Sequence, residues 1–150
     1  MTKEAAYCGI DVGLKTHVVC LLDKEQNTIK RYSLTNDLQG FRMLEADVNE
    51  HTKICLEPTG VYSLNVFLYF RNKDHDIRFC KTDSSHNFRE SMFRKKKHDR
   101  LDALALAKYR IVNEHQTFDG SKIIERLGAD VAYDPEYQAL SGLTDQYLSI

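Results

Sequence analysis

Ala6-Tyr7-Cys8-Gly9-Ile10-Asp11-Val12-Gly13 is the stretch on which the reading of the fold turns. Its apolar residues are nearly continuous, the pattern of a central strand buried on both faces. The run carries a carboxylate near its end, and Gly13 then permits a tight turn. Working outward, Thr16 to Leu22 reads as a second strand through His17-Val18-Val19-Cys20-Leu21-Leu22. Asp23-Lys24-Glu25-Gln26-Asn27 is a polar turn, and Thr28 to Leu34 alternates as an edge strand does. Three strands joined by short turns make an antiparallel meander.

Thr35-Asn36-Asp37 offers helix caps, and Phe41, Leu44 and Val48 follow at helical spacing, which predicts a helix from about Asp37 to Asn49. Thr52 to Leu56 is a fourth strand, ending at Glu57 and punctuated by Pro58 and Gly60. Val61 to Phe70 is apolar almost all round and reads as a buried helix, with a strand as the alternative. Asp76 to Cys80 is a short fifth strand, and Ser84 to Phe93 a helix capped by Ser84 or Ser85. His98 to Val112 reads as a helix with Leu101, Leu104, Ala105, Lys108 and Tyr109 along its apolar stripe. Asn113 to Gly120 looks like a break. Beyond it, Ile123, Ile124 and Leu127 fit one helical set, and Tyr137 to Leu148 could start another. The order β-β-β-α-β-α-β-α-α defines an α/β layout: a mixed five-stranded sheet flanked by helices.

A chain of 150 residues with 42% hydrophobic content can bury a real core as one domain, or one domain plus an appendage. The formal net charge of −1 conceals a basic segment. Arg89, Arg94, Lys95, Lys96, Lys97 and Arg100 stand there against Glu90 and Asp99. Cys8, Cys20, Cys55 and Cys80 form no C-x-x-C pair and read as buried free thiols. No apolar stretch is long enough for a membrane span, and Met1-Thr2-Lys3-Glu4 opens no secretory leader. A cytoplasmic protein is expected.

Four carboxylates carry the chemistry. Asp11 and Glu57 stand at the ends of two apolar runs, so neighbouring strands would bring both to one edge of the sheet. Asp99 and Asp102, read as i and i+3 on a helix, would share a face about 5–6 Å apart. Packed over that edge, the four would repel one another unless divalent cations bound them. Oxygen ligands alone favour Mg²⁺ or Mn²⁺, the ions of phosphodiester chemistry. Singly, each acid reads equally as a turn residue or a solvated helix position. The basic run alone reads as solvated surface, but Phe88, Phe93, His86 and His98 interleave with it, as suits a nucleic-acid groove. His17 and His98 are candidate auxiliary acid–base groups or nucleic-acid contacts, although strand or surface histidines are commoner. Tyr62 reads as core or cleft wall, and Thr59-Gly60 as a tight turn.

Gly9-Ile10-Asp11-Val12-Gly13, followed by His17-Val18-Val19, resembles the first motif of the DEDD transposases and Piv-type DNA invertases, the IS-one-ten insertion-sequence family. Leu56-Glu57-Pro58-Thr59-Gly60-Val61-Tyr62 resembles the second, written E-x-T-G-x-Y. Lys97-His98-Asp99-Arg100-Leu101-Asp102-Ala103 resembles the third, K-T-D-x-x-D-A, with His98 where Thr is common. The likeness covers about residues 6 to 112. It implies an RNase H-like (RuvC-like) domain with Asp11, Glu57, Asp99 and Asp102 as a catalytic, Mg²⁺-binding tetrad. It also implies DNA as substrate, a structured guide RNA as partner and assembly as a homo-oligomer.

On this reading residues 1–115 are the catalytic domain. Residues 116–150 are a helical connector, resembling one near Tyr137 to Tyr147, that leads to a further domain bearing a serine nucleophile. Arg89, Arg94, Lys95, Lys96, Lys97 and Arg100 are the expected nucleic-acid contacts. The alternatives are a resolvase-type nuclease acting on branched nucleic acid and a non-catalytic nucleic-acid-binding and oligomerisation module. An actin-like ATPase lobe ranks last, because no second phosphate motif follows Gly13.

Overall fold

The computed structural model describes residues 4–80 and 101–122, with Glu125. Three strands open the chain: β1 (Tyr7–Asp11), β2 (Thr16–Leu22) and β3 (Thr28–Thr35). They form the expected meander, β1 antiparallel to β2 and β2 antiparallel to β3. Helix α1 (Leu38–Glu45) begins where Asp37, extended and outside the helix, accepts a bond from the Gly40 N–H at 2.9 Å. It ends short of the expected Asn49. The Asp47 carboxylate is engaged on β3 instead, by Tyr32 Oη at 2.7 Å and Lys30 Nζ at 3.0 Å.

Strand β4 (Lys53–Leu56) then pairs parallel with β1, and β5 (Asp76–Cys80) parallel with β4. Between them a 3₁₀ turn at Gly60–Ser63 leads into α2 (Leu64–Asn72), which buries every residue from Leu64 to Phe70. The predicted buried helix is therefore present, although its first turn is 3₁₀. Helix α3 (Ala103–Val112) follows, then a 3₁₀ turn at Glu114–Gln116 and β6 (Thr117–Phe118).

The expected mixed α/β sheet thus has six strands rather than five, in the order β3-β2-β1-β4-β5-β6. The added strand is two residues long and lies past residue 115, where the sequence shows only a break. Arg78 of β5 secures it, donating from Nε to Thr117 Oγ1 at 2.6 Å and from Nη2 to the Thr117 carbonyl at 2.9 Å. Phe118 stacks on Phe79, and Phe79 on Phe67.

Alternation along the strands sends successive residues to opposite faces. Cys8, Ile10, Val19, Leu21, Ile54, Leu56, Ile77 and Phe79 pack with α1 and α2 in the larger core. Each fully buried side chain of this kind stabilises the fold by about 1.5–3 kcal/mol. Cys20, Leu22, Cys55 and Cys80 face α3. All four cysteines are buried free thiols, as expected. Burial pushes the Cys55 thiol up to about 12, so it is an inert core residue.

The buried stripe of α3 differs from the predicted one. Ala103, Leu106, Ala107, Tyr109 and Arg110 are buried, whereas Lys108 is exposed and Leu104 and Ala105 are half-buried. Close approach decides this. A Cβ on Gly9 would stand 1.8 Å from the Ala103 carbonyl oxygen and 2.5 Å from the Ala107 nitrogen. Glycine on β1 and alanine on α3 let the two backbones touch, and that contact fixes which helix face points inward.

Candidate active site

Asp11 is the last residue of β1, half-buried and paired across the sheet with Val18. Glu57 directly follows β4 and is 3% exposed. The parallel register sets Ile10 beside Leu56, so the next residue on each strand is an acid, and both leave the same end of the sheet. This is the adjacency that the sequence reading required. By alternation from Gly9, Asp11 belongs to the α3 side of the sheet.

Helix α3 runs antiparallel to β4. Leu101, two residues ahead of the helix, meets Glu57 just beyond the end of β4, while Arg110 near its close bonds to Ile54 and Asp76 at the starts of β4 and β5. The N-terminus of α3 therefore lies at the acid-bearing end. The Leu101 N–H donates to Glu57 Oε1 at 2.9 Å, a buried bond joining residues that sequence spacing would not connect.

Asp102 corrects one expectation. It is not inside a helix but caps α3 from outside, with φ −76° and ψ 176°, its Oδ1 accepting from the Ala105 N–H at 2.8 Å. A short carboxylate able to satisfy an orphan N–H ends the helical path there. The i, i+3 helix-face argument for Asp99 and Asp102 accordingly fails at Asp102. The exposed Asp102 carboxylate sits where the positive end of the helix dipole favours a negative charge.

Asp99 lies outside the described residues. So do Arg89, Arg94, Lys95, Lys96, Lys97 and Arg100, with His86, Phe88, Phe93, His98 and the predicted helices at Ser84–Phe93 and Tyr137–Leu148. Among the described residues no three His, Cys, Asp or Glu side chains form a group that could hold a metal ion. By donor type Asp11, Glu57 and Asp102 match what a hard divalent cation takes, since each offers carboxylate oxygens and β1, β4 and the start of α3 lie at one end of the sheet.

Behind this end, on the face away from α3, lies His17. It is fully buried and its Nδ1 accepts from the Gly13 N–H at 3.1 Å. Burial holds the imidazole down to about 4, with the Asn36 side chain acting weakly the other way, so it is neutral near pH 7. Tyr62 packs against the core edge as expected. The Thr59 N–H donates to Ser63 Oγ at 3.3 Å, consistent with a tight turn after Glu57.

Sequence reading missed three participants: Gly9 as the seat of α3, the Leu101 N–H and Asn36. Only Gly9 carried a signal, since a glycine within an apolar strand marks close backbone approach.

A mixed sheet led by an antiparallel meander, with acids at the ends of parallel β1 and β4 and a helix capped by a third, defines an RNase H-like domain. The model of the IS110-type DEDD transposase family, described as "Transposase", matches residues 8–139, and the chain belongs to that family. It is a transposase domain, of a family of DNA-recombining enzymes. No curated protein matches the chain. Among the described residues no helix is long and apolar enough to cross a membrane.

Proposed function

We propose that this chain is the metal-dependent catalytic domain of a DNA transposase, breaking and joining phosphodiester bonds as an insertion sequence moves. Asp11, Glu57, Asp99 and Asp102 are the ligands for Mg²⁺ or Mn²⁺. One observation carries this reading: the parallel pairing of β1 with β4 sets Asp11 and Glu57 side by side, under the N-terminus of the helix that Asp102 caps. The bound cations would neutralise charge on the phosphate and activate the attacking hydroxyl.

The chain's own part is orientation. The Leu101 N–H fixes Glu57 Oε1, and the Ala105 N–H fixes Asp102 Oδ1. Each holds a carboxylate in place without cancelling its charge. The segment carrying Arg89, Arg94, Lys95, Lys96, Lys97 and Arg100 leaves β5 at Cys80 and rejoins the described chain at Leu101. Both tether points lie at the acid-bearing end, which supports assigning the basic residues to the DNA backbone there. A structured guide RNA and a second copy of the chain complete the proposed assembly. Residues beyond β6 lead towards a further domain. Four reduced, buried thiols agree with work in the cytoplasm.

Mn²⁺ titration calorimetry tests the site. The unmodified chain is expected to bind, and Asp11→Asn and Glu57→Gln to abolish the heat. Undiminished binding in both variants would remove the acids from the metal and favour a non-catalytic nucleic-acid module. Binding to a DNA duplex should also weaken steeply with salt, and neutralising Lys95, Lys96 and Lys97 should flatten that dependence.

A further inference from the structure

Asn36 follows the last residue of β3 and reaches two turns at once. Its main-chain N–H donates to the Lys15 carbonyl at 2.9 Å. Its Nδ2 lies 3.4 Å from the Leu14 carbonyl, in the turn after Asp11, and 3.4 Å from the Tyr62 carbonyl, in the 3₁₀ turn after Glu57. Both side-chain contacts are long, so their strength depends on how firmly the amide is aimed.

His17 is the group able to aim it. Because Nδ1 accepts from the Gly13 N–H, the neutral ring carries its proton on Nε2. Nε2 and Asn36 Oδ1 are both buried, and neither makes a hydrogen bond within ordinary limits, while the Asn36 side chain is close enough to act on the His17 ring. A small adjustment of the Asn36 amide would let this donor and this acceptor satisfy each other. With Oδ1 turned to the ring, Nδ2 is directed at the two carbonyls.

We propose that His17, acting through Asn36, is a positioning residue for the acidic site, tying the turn after Asp11 to the turn after Glu57 and so fixing the spacing of the two carboxylates. The inference rests on the metal-binding reading above. Strand pairing between β1 and β4 sets the register, but Asp11 ends one strand and Glu57 lies past the end of the other. At that point the β1–β4 ladder no longer joins the two acids to each other, although Asp11 still pairs with Val18 of β2, and the His17–Asn36 pair spans the gap from behind the sheet. A histidine that only fills space would not need its two ring nitrogens matched to Gly13 and Asn36.

The test uses His17→Phe, which keeps the ring volume without polar atoms, His17→Asn, which can restore the acceptor for the Gly13 N–H, and Asn36→Ala. Mn²⁺ affinity is measured by calorimetry. Amide hydrogen exchange is followed over residues 12–16 and 58–64, with the region around Arg110 as internal reference. Loss of an outer-shell orienting group should weaken Mn²⁺ binding by about tenfold or more in His17→Phe and Asn36→Ala, with partial recovery in His17→Asn. Exchange should rise in both turns and stay unchanged around Arg110.

Affinity within twofold of the parent in both variants, or faster exchange confined to residues 12–16, overturns the proposal. If the parent chain binds no Mn²⁺, the metal reading falls separately, and paired exchange of the two turns alone decides whether the tie exists. Should His17→Phe fail to fold, Asn36→Ala carries both measurements, because Asn36 is only half-buried.

Discussion

At the C-terminal end of α3 the buried Arg110 guanidinium meets Asp76 Oδ1 at 2.6 Å, the Ile54 carbonyl at 2.7 Å and Glu114 Oε2 at 2.8 Å. At the N-terminal end two carboxylates, Glu57 and Asp102, are held by main-chain N–H groups. One end sets opposite charges against each other, and the Arg110 hydrogen bond holds the Glu114 carboxyl below its usual range. The other orients negative charge with dipoles, which leaves its sign intact for a cation to meet. A single ten-residue helix therefore anchors the sheet with one end and lies beside oriented carboxylates with the other.

The contrast can be broken from either side. Arg110→Ala should have the largest effect on stability, about 2–4 kcal/mol, because it empties a buried site and strands the Ile54 carbonyl. The urea midpoint would report it. A loss under 1 kcal/mol would mean the clamp is ornamental. Gly9→Ala comes next. Its new methyl group cannot coexist with the Ala103 carbonyl, and overpacking of this kind costs about 1–3 kcal/mol. It should also weaken Mn²⁺ binding, since α3 carries Asp102; unchanged affinity in a folded Gly9→Ala chain would uncouple helix seating from the site.

Acid titration separates the ends further. The His17 value in the fold lies near 4, below its ordinary 6.5, so the unfolded chain binds the extra proton first as pH falls. Its contribution is intact above pH 6.5 and is lost progressively down to about pH 4, with a slope of at most about 1.4 kcal/mol per pH unit. His17→Gln should flatten that segment of the stability profile; an unaltered slope would show the imidazole is not buried neutral.

The smallest effect is at Asp102. Asp102→Asn keeps a capping oxygen and should leave stability within a few tenths of a kcal/mol, whereas Asp102→Ala should lose about 1 kcal/mol. Both should impair metal binding, so equal Mn²⁺ affinity in Asp102→Asn and the parent would reduce this residue to a cap.

The strand pattern was legible because continuous apolar runs ending in acids are rare, and β1 and β4 each provide one. The helix that completes the site was harder to read. In Ala103-Leu104-Ala105-Leu106-Ala107 every second residue is alanine, so hydrophobic periodicity gives no direction. The buried face was chosen by a glycine about a hundred residues earlier, a packing effect with no local signature. Arg110 was invisible for the opposite reason: a charged side chain on a helix reads as solvated until its partners on β4 and β5 are known. Asp102 was placed inside the helix, whereas it caps the helix from outside. A helix pattern and a helix cap differ by one residue, and Asp serves better as a cap.

The Leu101 bond to Glu57 spans 44 residues, whereas β1, β2 and β3 pair through short turns. Chain entropy therefore orders assembly, with local pairings closing first and distant ones afterwards. The mutually repelling acids are expected to converge only after the apolar sheet has formed to oppose their repulsion. Pulsed exchange during refolding should accordingly protect the amides of Val19 and Leu21 before that of Leu101, and simultaneous protection would contradict late convergence of the acids.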